Sequence, residues 1–134
     1  MMKFIAFNVR EDEEKYFVQW EKETGNEVLR LPDMLDMNSV DKIKGFDGVL
    51  ALQTGTYPDE MFIKFKEFGI KVFSIRNVGV DNINLDAARK NGVIVTNVPA
   101  YSPNAIAEFS VTQLMQLLRN TTIFRNKVAK QDFR

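Results

Sequence analysis

The chain has 134 residues, 45% of them apolar, and its 18 basic and 18 acidic side chains leave no formal net charge at pH 7. That length and composition are typical of one globular domain with its own core, and a neutral chain has no electrostatic preference for nucleic acid or anionic lipid. The sequence contains neither Cys nor His, which excludes disulfides, thiolate metal sites, a Ser-His-Asp triad and a His proton shuttle from these residues. We expect no metal site, no membrane span and a cytoplasmic location.

The first part of the chain alternates a strand pattern, a helix pattern and a second strand pattern. Lys3–Phe7 is a short apolar run that predicts a buried parallel strand. The acidic run Glu11–Glu14 predicts a helix start, because carboxylates favour the positive end of the helix dipole, and we expect it to be solvated. The apolar residues of this helix recur at helical spacing: Tyr16, Phe17 and Trp20. Gly25 predicts the end of the helix, and Glu27–Leu31 predicts the second strand.

The middle of the chain repeats this alternation. Ser39 predicts the N-cap of a brief helix that ends at Gly45, and Gly48–Leu52 predicts the third strand. Pro58 predicts the start of another helix, which Gly69 ends. One apolar stripe runs along that helix: Met61, Phe65 and Phe68.

Two more strands complete the pattern. Lys71–Ile75 and Val93–Thr96 predict the fourth and fifth strands, and Leu85–Lys90 predicts a short helix between them. Asp81 and Asp86 are candidate caps of that helix. Strand and helix therefore alternate five times, which predicts an α/β fold with a flavodoxin-like, doubly wound, parallel five-stranded sheet.

A long apolar helix follows the last strand. Ser102 and Pro103 predict its start, with Ser as the cap and Pro in the first turn. Its apolar residues lie on more than one face: Ile106, Phe109, Val111, Leu114, Met115, Leu117 and Leu118. Because a terminal helix of a small domain buries only one side, we expect this helix to be covered within a larger assembly. Taken alone, the chain is expected to self-associate through it.

The segment between the fourth strand and the short helix contains a candidate binding loop. Asn77–Gly79 follows an apolar strand, at the edge of an open α/β sheet where ligands bind. Backbone N–H groups in a Gly-containing loop can point outward at a small anion. From residue types alone, an ordinary strand-to-helix turn is the better interpretation of this loop.

Two stretches change that balance because they resemble a known family. The runs Arg76–Asn82 and Asn91–Glu108 are similar to the D-isomer-specific 2-hydroxyacid dehydrogenases, and above all to the branch that includes the NAD-dependent D-lactate and D-2-hydroxyisocaproate enzymes. The resemblance implies a flavodoxin-like substrate domain over residues 1–100. It also implies that residues 101–134 form an interdomain helix and the start of a Rossmann domain for NAD, in an enzyme that is a homodimer.

The sequence also departs from the family pattern. It contains no G-x-G-x-x-G turn and no His, and the family's catalytic Arg, Glu and His are expected further along the chain. We therefore expect the amino-terminal part of a longer enzyme, with no catalytic residue in this chain and with the main NAD-binding motif outside it.

The resemblance implies substrate contacts on the candidate loop. The backbone N–H groups of Val78 and Gly79 are expected to hold the substrate carboxylate. Asn77 is expected to shape the loop through an Asx-type bond, unless it merely tolerates the conformation. Arg76 is interpreted as structural.

Three further positions keep an alternative. Tyr101 matches a family tyrosine at the substrate cleft, and its alternative is an aromatic packed at a hinge. Leu52, at the end of the third strand, lines the same pocket or packs in the core. Ile106 touches the nicotinamide side of the cleft or packs against another helix.

Two functions from different classes are weighed. In the first, the complete enzyme uses NADH to reduce pyruvate or a related 2-keto acid to the D-2-hydroxy acid. In the second, the chain is a non-catalytic, flavodoxin-like binding or regulatory module. A phosphoacceptor version of that module requires an Asp at the end of the third strand, where Ala51–Gln53 stands instead.

Overall fold

The computed structural model describes residues 1–52 and 55–133. The chain divides into two compact units, Met1–Pro99 and Ala100–Arg134. The strands of the first unit are β1 Lys3–Ala6, β2 Glu27–Arg30, β3 Gly48–Ala51, β4 Val72–Ile75 and β5 Ile94–Thr96. Its helices are α1 Glu14–Thr24, a 3₁₀ helix Val40–Ile43, α2 Asp59–Glu67 and α3 Leu85–Lys90. The second unit contains α4 Pro103–Leu118 and α5 Thr121–Ala129.

The five strands form one parallel sheet in the order β2-β1-β3-β4-β5. This confirms the predicted fold class. From β1 the chain moves to one side of the sheet and forms β2. It then crosses back over β1 to form β3, and β4 and β5 follow on that other side. Because crossovers between parallel strands are right-handed, α1 lies on one face of the sheet, and the 3₁₀ helix, α2 and α3 lie on the other.

The face that carries α2 and α3 holds the hydrophobic core. Phe62 and Phe65 of α2 are fully buried against Phe73 of β4, with ring centroids 6.3 and 5.3 Å away in edge-to-face contacts. Ile5 and Val49 of the neighbouring strands are buried on the same face. Each such side chain contributes about 1.5–3 kcal/mol when fully removed from water.

The opposite face is only partly covered. Trp20 of α1 packs edge-on against Phe4, with ring centroids 5.5 Å apart. Gly48 makes room for this pair, because a Cβ at that position would lie 2.9 Å from the Phe4 ring. A cavity of about 500 Å³ remains over this face, lined by α1 and by residues of the sheet that include Leu50 and Val72.

The helix caps differ from those expected. Ser39 and Ser102 occupy N-cap positions, but neither side chain makes a capping hydrogen bond. Ser39 has helical rather than extended dihedral angles, and its hydroxyl donates to the Met34 carbonyl instead. The expectation that Asp81 or Asp86 caps α3 is wrong, because Asn84 occupies that position. Its side-chain oxygen accepts from two backbone N–H groups at 3.1 Å each.

The second unit consists of two helices separated at Asn120, which has a left-handed φ of 51°. All residues of α4 are described, and none of them is buried. None of the helices in the described part of the chain has the length and apolarity that a membrane crossing needs.

Candidate functional site

The carboxyl ends of β1, β3 and β4 lie next to one another, at the end of the sheet where all the parallel strands finish. β3 and β4 pair Ala51 with Ile75, and the N–H of Arg76 donates to the Ala51 carbonyl at 2.9 Å. The loop that leaves this end after β4 consists of Asn77, Val78 and Gly79, and we call it the amide loop. It lies beside the end of β3, where Leu52 follows the last strand residue.

All three carbonyl groups of the amide loop accept hydrogen bonds. The Asn77 carbonyl accepts from the Val98 N–H at 3.1 Å. The Val78 carbonyl accepts from the Asn97 side-chain amide at 2.7 Å. The Gly79 carbonyl accepts from the Asn77 side-chain amide at 2.8 Å. The negative ends of the loop dipoles are therefore all engaged within the protein.

The N–H groups of the same loop are arranged differently. Within the described ranges 1–52 and 55–133, the N–H groups of Val78 and Gly79 donate no hydrogen bond. Val78 is exposed and Gly79 is half-buried. Two adjacent N–H groups with fixed neighbouring carbonyls and no acceptor among the described residues can form an electropositive cradle, which suits an anion such as a carboxylate.

The side chain of Asn77 bonds within the loop, but through its nitrogen rather than through the oxygen that an Asx-type bond would use. Such a bond would use the Asn77 side-chain oxygen to accept from the Gly79 N–H. The structure instead has the side-chain nitrogen of Asn77 donating to the Gly79 carbonyl. The consequence is favourable for anion binding, because the Gly79 N–H is not consumed by the loop itself.

Arg76 is anchored behind the amide loop. Its Nε and Nη2 donate to the two carboxylate oxygens of Glu13 at 3.0 and 3.2 Å, and its Nη1 and Nη2 donate to the carbonyls of Phe7 and Asn8 at 3.1 and 3.0 Å. Only 14% of the Arg76 side chain is exposed. The guanidinium group thus joins the end of β4 to the end of β1 and to the start of α1, in agreement with a structural role.

Glu13 is not the solvated residue that the acidic run predicted. Its side chain is 20% exposed and forms the ion pair with Arg76. Burial raises the pKa of Glu13, but hydrogen bonds from Arg76 and from the Arg10 N–H outweigh burial and leave that pKa below its ordinary value of 4.5.

Tyr57 and Asn82 support the loop after β3. The Tyr57 hydroxyl donates to the Leu52 carbonyl at 2.6 Å, and the Asn82 side-chain amide donates to the Gly55 carbonyl. Burial raises the pKa of Tyr57 to about 12, although the charge of Arg76 opposes this. Tyr57 therefore stays a neutral donor at any physiological pH. Gln53, which entered the argument against a phosphoacceptor site, lies outside the described residues.

Some of the predicted site residues lie together in the first unit, and others belong to the second unit. Asn77, Val78 and Gly79 lie together on the amide loop, and half-buried Leu52 lies at the end of the neighbouring strand. Tyr101 and Ile106 belong to the second unit, where their exposed fractions are 73% and 66%. The roles expected for Leu52, Tyr101 and Ile106 stay predictions.

Sequence reasoning missed Asn97 and Val98. Both directly follow β5, and both donate to carbonyls of the amide loop. A signal for them was present, because the carboxyl ends of adjacent parallel strands lie at the same edge of a sheet. A polar side chain directly after β5 was therefore a candidate neighbour of the loop after β4.

Residues 4–130 match the sequence model of a family described as D-isomer specific 2-hydroxyacid dehydrogenase, catalytic domain. The chain belongs to this family. The chain is 52% identical over 134 residues to a D-lactate dehydrogenase of Lactiplantibacillus plantarum. It is 50% identical over 119 residues to a D-2-hydroxyacid dehydrogenase (NAD+) of Lacticaseibacillus paracasei.

A solved structure of the family agrees with the fold. A D-2-hydroxyisocaproate dehydrogenase superposes with a TM-score of 0.85 at 46% identity over 98% of this chain. The alignment with the Lactiplantibacillus enzyme spans 99% of this chain and 40% of that enzyme. The superposition spans 40% of the solved chain. The alignment with the Lacticaseibacillus enzyme spans 89% of this chain and 36% of that enzyme. The chain therefore spans well under half the length of the family members it matches.

Metal ligands and a dinucleotide-binding turn were looked for among the residues that the structure describes. In the part of the chain that the structure describes, no group of three or more Asp or Glu side chains is placed to hold a metal ion. The seven Gly do not form the G-x-G-x-x-G turn that is typical of dinucleotide pyrophosphate sites. What the described residues do offer is the cradle of the amide loop.

Proposed function

We propose that this chain supplies the substrate-carboxylate site of an NAD-dependent D-lactate dehydrogenase, and that the complete enzyme reduces pyruvate or a related 2-keto acid to the D-2-hydroxy acid. The observation that carries the proposal is the amide loop, with three engaged carbonyls and two N–H groups that have no partner among the described residues. Family members named for D-lactate and D-2-hydroxyacid dehydrogenation support the choice of acid.

In this proposal the protein's part is to bind and orient the acid. The N–H groups of Val78 and Gly79 donate to the two carboxylate oxygens, and bonds to an ionised acceptor are roughly twice as strong as neutral ones. The loop is already fixed by its carbonyl bonds, so little conformational entropy is lost on binding. The dinucleotide supplies the hydride when it is bound.

The remaining assignments belong to the same proposal. Residues 1–100 form the substrate domain, and residues 101–134 form the interdomain helix and the start of the dinucleotide domain of a homodimeric enzyme. Leu52 lines the side-chain pocket of the substrate, and an aliphatic residue there leaves room for acids larger than pyruvate. Tyr101 contacts the substrate and Ile106 the nicotinamide side of the cleft. No relative described above supports the alternative of a non-catalytic module.

The test uses the complete protein that contains this chain. NADH oxidation is measured with pyruvate, 2-ketoisocaproate and phenylpyruvate, and the configuration of the product is determined with a stereospecific lactate assay. Methyl pyruvate is the matched control, because it keeps the ketone and removes the carboxylate charge. We expect turnover of the free acids to the D-product and kcat/KM for methyl pyruvate lower by about a hundredfold or more, as the loss of charge-assisted bonds predicts. Absence of turnover with every acid, or equal use of the ester, would contradict the proposal.

A further inference from the structure

The N–H groups of Val78 and Gly79, which have no acceptor among the described residues, are each coupled to a carbonyl through a planar peptide bond. The N–H of Gly79 shares its peptide plane with the carbonyl of Val78, and the N–H of Val78 shares its plane with the carbonyl of Asn77. In a trans peptide the carbonyl and the N–H point in opposite directions. A contact that holds one of these carbonyls therefore sets the direction of the N–H on the other side of the plane.

Both carbonyls are held by the two residues that follow β5. The Val98 N–H donates to the Asn77 carbonyl at 3.1 Å. The Asn97 side-chain amide donates to the Val78 carbonyl at 2.7 Å. The first contact is made by backbone and is available to most residue types. The second depends on the side chain of Asn97.

We propose that Asn97 is a positioning residue of the carboxylate site: by holding the Val78 carbonyl it directs the Gly79 N–H toward the substrate carboxylate. This inference rests on the proposed function of the amide loop. Asn97 itself does not touch the substrate. Its role is to keep the peptide between Val78 and Gly79 from rotating, a motion that is inexpensive where one flanking residue is Gly.

The position of Asn97 separates this role from a general contribution to folding. Asn97 is exposed and lies just after the edge strand β5, outside the buried core. Its bond to Val78 joins residues that are 19 positions apart. Replacing it with Ala therefore removes a tether of the loop without opening a cavity in the core.

The experiment compares Asn97→Ala with a control that loses the same kind of bond elsewhere. Asn91 donates its side-chain amide to the Ala87 carbonyl at 2.9 Å, at the end of α3, so Asn91→Ala is the matched control. In the complete enzyme we expect Asn97→Ala to raise KM for pyruvate about tenfold, because one charge-assisted bond is weakened in ground state and transition state alike. We expect kcat to change less than KM, and KM for NADH to stay at the wild-type value. Asn91→Ala should leave all three parameters unchanged.

A second variant and a second readout keep the test independent of folding and of turnover. Asn97→Asp preserves size but cannot donate, so it should raise KM at least as much as Asn97→Ala, with an unchanged circular dichroism spectrum. In the 134-residue chain, we expect Asn97→Ala to shift the Gly79 amide resonance in a ¹H–¹⁵N spectrum and Asn91→Ala to leave it in place.

The possible outcomes distinguish the two proposals. If wild-type enzyme reduces 2-keto acids but Asn97→Ala has the wild-type KM for pyruvate, the positioning role is wrong and the proposed function stands. If wild-type enzyme reduces no 2-keto acid, the proposed function fails, and the Gly79 resonance still decides whether Asn97 orients that peptide. An unmoved Gly79 resonance overturns the inference in either case.

Discussion

Glu13 and Arg76 are 63 positions apart in the sequence, and their ion pair fixes the base of the amide loop. Both side chains are mostly buried, and removing one partner of a buried pair leaves the other charge uncompensated. The guanidinium also holds the last carbonyls of the β1 end, at Phe7 and Asn8. The pair is therefore a structural link between the first and fourth strands, at the edge where the candidate site lies.

The lowered pKa of Glu13 predicts a loss of stability in acid. A carboxyl whose folded pKa lies below its unfolded value stabilises the folded state above the ordinary value of 4.5, and this contribution is lost as pH falls through the folded pKa. We expect the free energy of urea unfolding to fall more steeply below that pH in the wild type than in Glu13→Gln. Glu11→Gln, a change at an exposed residue of the same acidic run, is the control and should retain the wild-type slope. If the free energy of unfolding depends on pH in the same way in the wild type and in Glu13→Gln, the predicted contribution of the Glu13 pKa to acid stability is wrong.

At the scale of elements, α3 begins at an N-cap residue whose side chain accepts two backbone hydrogen bonds. Asn84 has extended backbone angles, and its side-chain oxygen accepts from the N–H groups of Asp86 and Ala87. Its side-chain nitrogen also donates to Asp59 at the start of α2. One residue therefore both begins α3 and connects it to the neighbouring helix.

Substitution at the cap tests this assignment against the one that the sequence favoured. Asn84→Ala should lower the free energy of unfolding by about 1 kcal/mol, which corresponds to a fall in Tm of roughly 4–8 °C for a unit of this size. Asp86→Ala should cost only a few tenths of a kcal/mol, because Asp86 contributes to the helix dipole and to an exposed pair with Arg89. Thermal unfolding followed by circular dichroism measures both. Equal losses in the two variants would contradict Asn84 as the cap.

The elements themselves were predictable because their signals are local. Apolar runs such as Gly48–Leu52 and stops such as Gly25 depend on neighbours in sequence, and the structure has a strand and a helix end there. The N-terminal capping bonds were not predictable from residue type, because Ser39 occupies an N-cap position with helical rather than extended backbone angles. The sequence predicted the amide loop from its position after a strand. It did not predict the bond from Asn97 to Val78, because that bond depends on how the segments after β4 and β5 lie side by side.

At the scale of the whole molecule, the chain exposes much apolar surface. Helix α4 has no buried residue, and its large apolar side chains are at least half exposed. The most exposed of them are Ile106, Phe109, Leu117 and Leu118. So many exposed apolar side chains on one helix are unusual in a soluble monomer and favour association.

We therefore expect the 134-residue chain to self-associate in solution. Leu117, at 75% exposure, is the position to change, and Leu117→Glu should shift the chain toward monomer in sedimentation velocity. Gln113→Glu adds the same charge at an exposed polar position of α4 and should leave the association unchanged. A monodisperse wild-type monomer would contradict the prediction, and so would an equal effect of the two variants.

The place of β5 in the sheet has a further consequence for the candidate site. β5 is an edge strand of three residues, and the amide loop is held by the two residues that follow it. Edge strands open by local unfolding more readily than central ones, and each such opening would release the loop carbonyls and the orientation of the N–H groups. A bound carboxylate would then favour the closed form by mass action, so that occupancy of the site and the hydrogen-exchange protection of β5 would rise and fall together.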